Sequence, residues 1–137
     1  MSFKKVDHIA IAVPNLEESI ALYQSLLGKT PEHLEEVADQ KVRAAFFGVG
    51  ESNLELLFPT SAESPITHFL QKNPKGGLHH ICLEVSNLEE HLEKLKAQGI
   101  KLIDEKPRLG AHNKKIAFVH PKSTGGVLIE LSESQGH

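Results

Sequence analysis

His8, Glu55, His80 and Glu130 are the residues of this 137-residue chain whose types and spacing could do chemistry together. His8 stands in Asp7-His8-Ile9-Ala10-Ile11-Ala12-Val13, and His80 stands 72 residues later in His79-His80-Ile81-Cys82-Leu83-Glu84-Val85. The segments continue alike, as Pro14-Asn15-Leu16-Glu17-Glu18 and Ser86-Asn87-Leu88-Glu89-Glu90, so the chain is a duplicated module. A repeat of this kind makes each copy one supersecondary unit that buries its apolar face against the other. Glu55 in Leu54-Glu55-Leu56 and Glu130 in Ile129-Glu130-Leu131 form a second matched pair. A carboxylate between large aliphatic residues needs a partner, because burying it unpaired is costly. Two imidazoles and two carboxylates can bind a divalent ion whose charge the carboxylates balance. A hydrogen-bonded structural role remains the alternative for each His, and a salt bridge to lysine for each Glu.

Strand alternation decides whether these four side chains can converge. His8, Ala10 and Ala12 share one face and Ile9, Ile11 and Val13 the other. If the aliphatic face lies under helices, His8 is left on the opposite face. The same register sets His80, Cys82 and Glu84 opposite Ile81, Leu83 and Val85, and puts Glu55 and Glu130 opposite their aliphatic neighbours. A helix after each first strand is predicted by Asn15 with Glu18 and by Asn87 with Glu90, both capping-box patterns. Leu16, Ile20, Tyr23 and Leu27 then recur on one face up to Gly28, and Leu88, Leu92 and Leu95 on another up to Gly99. Strand-like segments follow, roughly 32–37, 42–49 and 53–58 in the first half and 100–104, 115–120 and 126–132 in the second. Each half reads βαβββ, an α+β chain of two tandem modules, about 4–58 and 77–133, in one domain of 1–137. Ser64-Pro65 in the linker predicts a short capped helix.

With 39% hydrophobic and 24% charged residues the chain can bury a sizeable core. A net charge of −3 gives no general attraction to nucleic acid or an acidic membrane, and no apolar run approaches spanning length. A small molecule or a second copy of the chain is the expected partner. The single cysteine, Cys82, excludes an internal disulfide framework and suits a reducing compartment, so a cytoplasmic location is expected. Cys82 is read as a buried structural thiol rather than a nucleophile. His79 is expected on the helix layer or a solvent edge. His33, His68 and His91 are expected at the surface, and His137 is terminal; His112 and His120 are weaker ligand candidates. Lys72, Lys75, Lys114, Lys115 and Lys122 could meet a phosphate.

Asp7-His8-Ile9-Ala10-Ile11-Ala12-Val13, Leu54-Glu55-Leu56-Leu57-Phe58-Pro59, Gly77-Leu78-His79-His80-Ile81 and His120-Pro121-Lys122, followed by Gly126-Val127-Leu128-Ile129-Glu130-Leu131, resemble the methylmalonyl-CoA epimerase family over almost the whole chain. That family lies in the vicinal oxygen chelate (glyoxalase) group. The resemblance implies paired βαβββ modules forming a cup-shaped mixed sheet around a divalent metal, with His8, Glu55, His80 and Glu130 at the ligand positions. It also implies an acyl-CoA substrate, a homodimer, and a metal that is cobalt or else nickel, manganese or zinc. The implied reaction interconverts the two epimers of methylmalonyl-CoA by removing the α-proton, the metal stabilising the negative charge of the enolate. Epimerisation needs a proton removed on one face and delivered on the other. Glu130 is the first acid/base candidate. Some members carry a second Glu where this chain has Ala44, which leaves Glu55 as the possible substitute. Glyoxalase I (lactoylglutathione lyase), with the same ligand pattern, and a metal-free binding module of the same group are the alternatives.

Overall fold

The computed structural model describes residues 3–134, which divide into two compact units: one runs to His8 and resumes at His80, the other spans Ile9–His79. Strands β1 (Phe3–Ala12) and β5 (Gly77–Val85) each run through both.

In the unit of Ile9–His79 the strand order is β2-β3-β4-β1, with β2 at His33–Val37, β3 at Val42–Val49 and β4 at Ser52–Pro59. Helix α1 (Leu16–Leu27) starts where predicted, the Glu18 amide donating to Asn15 Oδ1 at 3.0 Å. Its Leu16 packs with Val13, Ala45, Phe47 and Leu56, and Ile11, Ile20, Tyr23 and Leu27 border that cluster. Ile11 of β1 and Val13 just beyond it therefore lie under the helix, as predicted. Ala44 is paired with Leu57 and Phe46 with Glu55, so these four occupy the face turned away from the Ala45, Phe47 and Leu56 cluster. Helix α2 (Pro65–Lys72) is capped by Ser64, as the linker sequence predicts. The ring of His79 meets Phe69 of α2 edge-on at 5.1 Å, on the helix layer.

In the other unit the order is β1-β5-β8-β7-β6, with β6 at Arg108–Leu109, β7 at Lys115–Val119 and β8 at Ile129–Glu133. The pairing is mixed: β5 and β8 run parallel, with Cys82 beside Glu130, while β7 and β8 are antiparallel, with Phe118 beside Glu130. Helix α3 (Leu88–Ala97) is capped by Asn87, and its Leu88 and Leu92 pack with Val85, Ala117, Val119 and Leu131. That packing uses up the aliphatic faces of β5 and β8. His80, Cys82, Glu84, Glu130 and Ser132 are buried on the opposite face.

Two elements differ from the sequence reading. The segment 100–104 makes no strand; Leu102 alone bridges Val119. Asp104 explains why. Its Oδ2 accepts the Phe118 amide at 2.9 Å and its Oδ1 accepts Arg108 Nε at 3.0 Å, so a side chain takes the donor that a continuing strand would have used. Strand β8 starts at Ile129 rather than Gly126, because Gly125 and Gly126 take φ of 73° and 97°, outside the extended region.

A third difference concerns His91, which is buried at 1% exposure instead of lying at the surface. It sits on α3 beside Leu88 and Leu92, with Phe3 edge-on to its ring at 4.7 Å. Among the described residues neither ring nitrogen has a hydrogen-bond partner. Burial therefore disfavours the imidazolium and lowers its pKa below 6.5. A folded-state pKa below the unfolded one leaves stability intact above pH 6.5 and erodes it as the pH falls below that value. His91→Leu should remove both the unpartnered nitrogens and this acid loss. Thermal unfolding at pH 7.5 and pH 5 should show the variant more stable by about 1–3 kcal/mol, with the larger gain at pH 5; no gain at either pH would contradict the assignment. The terminal His137 lies outside the described residues.

Candidate metal centre

Three of the four expected ligands meet within the unit that joins the start of β1 to β5 and β8. His8 Nε2 lies 3.0 Å from Glu130 Oε1, His80 Nε2 lies 2.9 Å from the same oxygen, and the two Nε2 atoms are 3.2 Å apart. The imidazole rings stand edge to face at 5.3 Å. All three residues are buried. Glu55, the fourth, is buried on β4 in the unit of Ile9–His79.

The tautomer of His8 follows from its neighbour. Nδ1 stands 2.7 Å from Asp7 Oδ2, and an ionised carboxylate can only accept, so Nδ1 carries the proton. Desolvation opposes the charge of Asp7, but hydrogen bonds from His8 and Lys114 outweigh it and hold the carboxyl at about 2. With Nδ1–H committed, the lone pair of neutral His8 Nε2 points at the Glu130 oxygen. Two lone pairs at that separation repel unless positive charge sits among them, as a proton or as a metal ion. Burial likewise opposes ionisation of Glu130, but protons donated by the two imidazoles overcome it and keep the group well below the usual carboxylate range.

The donor set fits a divalent ion. Nitrogen and oxygen ligands about 2.0–2.2 Å from one cation are separated from each other by about 3–3.5 Å, and the three atoms here show that spacing. Imidazole with carboxylate suits a borderline transition metal.

Other candidates separate from the centre or support it. Cys82, buried beside Glu130 on the parallel strand, has its thiol pushed up to about 12 by burial and by the Glu130 charge, which suits a structural residue and not a nucleophile. His120 caps a short turn, its Nδ1 accepting the Lys122 amide at 3.1 Å, and His112 is exposed. Lys72, Lys75 and Lys122 are exposed and Lys115 is half-buried. Lys114 is not: its ammonium lies between Asp7 Oδ1 and Glu84 Oε1. The sequence reading assigned no role to Asp7, because alternation sends adjacent strand residues to opposite faces. The only signal was an acid immediately before a candidate ligand.

A family model described as the Glyoxalase/Bleomycin resistance protein/Dioxygenase superfamily matches residues 7–118. The mitochondrial methylmalonyl-CoA epimerase of Dictyostelium discoideum is 44% identical over 94% of this chain and 78% of its own length. The chain belongs to the methylmalonyl-CoA epimerase family. The ethylmalonyl-CoA/methylmalonyl-CoA epimerase of Cereibacter sphaeroides is 39% identical, over 94% of this chain and 97% of that one. A variant of the Streptomyces coelicolor epimerase, solved in complex with 2-nitronate-propionyl-CoA, superposes with a TM-score of 0.92 at 32% identity, covering 98% of this chain and 97% of that one. The lactoylglutathione lyase of Salmonella typhimurium is also similar, at 28% identity over 93% of this chain and 91% of its own length. Membership fixes the fold class of this epimerase-family chain as the glyoxalase fold, in agreement with the tandem βαβββ reading. No helix among the described residues is long and apolar enough to cross a membrane.

Proposed function

We propose that this chain interconverts the two epimers of methylmalonyl-CoA, using a divalent metal held by His8, Glu55, His80 and Glu130. Near-full-length identity with epimerases, higher than with lactoylglutathione lyase, carries the reading. The convergence of His8, His80 and Glu130 supports it independently, since a metal-free binding module has no need of three buried donors with lone pairs opposed.

A cation bound among these residues would supply Lewis acidity toward carbonyl oxygens. The residues themselves must move the proton. Glu130, leaving or sharing its ligand role, accepts the α-proton on one face of the carbon between thioester and carboxylate, and Glu55 delivers a proton to the other face. Ala44, buried on β3, offers no acid or base there. Asp7 holds the proton of the neutral His8 ring on Nδ1, which leaves Nε2 as the atom that can donate a lone pair to a cation. Cobalt is the proposed metal, with nickel, manganese and zinc as the other candidates. A single domain of 1–137, a homodimer and a cytoplasmic location complete the proposal.

Starting from one epimer, metal-loaded protein should bring the substrate to an equal mixture, followed by loss of optical activity in the acyl group. A purified chain that takes up no metal and leaves the epimer unchanged would remove the proposal. The CoA phosphates are assigned to some of Lys72, Lys75, Lys115 and Lys122. Neutralising the right lysine should raise KM severalfold with little change in kcat, and the effect should shrink in high salt. Unaltered KM in all four Lys→Ala variants would place the phosphate contacts elsewhere.

A further inference from the structure

We propose that Lys114 is a positioning residue for the metal centre: its ammonium clamps Asp7, and Asp7 in turn fixes the His8 imidazole with its proton on Nδ1 and Nε2 turned toward Glu130 and His80. The inference rests on the reading of His8, His80 and Glu130 as cation ligands.

Asp7 divides its two oxygens. Lys114 Nζ donates to Oδ1 at 2.5 Å, and His8 Nδ1 donates to Oδ2 at 2.7 Å. Neither contact survives rotation of the carboxylate, so each partner holds the rotamer that the other needs. Lys114 is itself held from a second side, donating to Glu84 Oε1 at 3.3 Å, while Ser134 Oγ donates to the same oxygen at 3.4 Å. Asp7 and Glu84 are both buried, and without the ammonium they would be two like charges out of water. The turn before Lys114 supports a dedicated placement. His112 and Asn113 both take left-handed φ, 57° and 59°, which L side chains rarely adopt, and that backbone leads directly into Lys114 at the mouth of β7. Outer partners of this kind tune affinity by orienting the ligand that touches the metal.

A sign distinguishes positioning from simple electrostatics. Removing a positive charge near a cation site should tighten cation binding by Coulomb's law alone. Removing a clamp should weaken it. Zinc affinity of the full chain, measured by competition with a chromophoric chelator, should fall about 10- to 100-fold in Lys114→Met. Lys114→Arg, which retains donors toward Asp7, should recover most of the loss. Unchanged or tighter zinc binding in Lys114→Met would overturn the proposal. A second readout does not depend on that variant folding. In the zinc-loaded wild-type chain, nitrogen-15 NMR should find the His8 Nδ1 proton slow to exchange with solvent; an Nδ1 proton that exchanges freely would overturn the clamp. Wild-type protein that binds no zinc, cobalt, nickel or manganese would instead overturn the metal reading itself, and the clamp with it.

Discussion

Glu130→Gln should cut exchange of the methylmalonyl-CoA α-proton by about a hundred- to ten-thousand-fold while leaving the protein folded and able to take up metal. Gln matches Glu in size and keeps a carbonyl oxygen where Glu130 Oε1 meets both Nε2 atoms, at 3.0 and 2.9 Å. It cannot accept a proton as a carboxylate does. No residue stands ready to replace it on β3, where Ala44 is buried. Exchange rates by proton NMR in deuterated water, with metal content measured on the same samples, separate the two contributions. A metal-replete Glu130→Gln that still exchanges at the wild-type rate would move the proton-transfer role to Glu55.

His80→Ala should abolish the stabilisation that metal confers. A ligand at about 100 times its dissociation constant adds about 2.7 kcal/mol to folding stability, on the order of 10 °C in Tm for a domain of this size. His80 is one of three donors within a few tenths of an ångström of mutual contact, so its loss opens the site. Wild-type Tm should rise on adding cobalt or zinc, and His80→Ala should show no such rise, nor should His8→Ala. Undiminished metal stoichiometry and an undiminished Tm increment in both variants would rule out these histidines as ligands.

Much of this arrangement is legible in the sequence. The repeat aligned His8 with His80, and period-two alternation put His80 and Glu130 opposite the aliphatic residues that α3 covers. Asn15 and Asn87 marked both helix starts because an N-cap satisfies amides that a helix must leave open. What escaped was set by side chains acting on distant backbone or on each other. Asp104 replaced a strand with its own carboxylate. His91 falls three residues after Leu88 and one before Leu92, inside the apolar stripe of α3, yet its polarity suggested a surface position. Nothing local separates Lys114 from the other lysines that could meet a phosphate, because its partners, Asp7 and Glu84, lie far away in sequence. Local patterns reveal which face a residue occupies; they do not reveal which charges will meet across a sheet.

The most direct measurement is exchange of the α-proton in deuterated water by the wild-type chain loaded in turn with cobalt, nickel, manganese or zinc. Methylmalonyl-CoA and the methylglyoxal–glutathione hemithioacetal are offered separately. At least one metal form should exchange the methylmalonyl-CoA proton, and the metal-stripped chain should not. Isomerisation of the hemithioacetal with no exchange of methylmalonyl-CoA in any form would contradict the epimerase assignment and put lactoylglutathione lyase in its place.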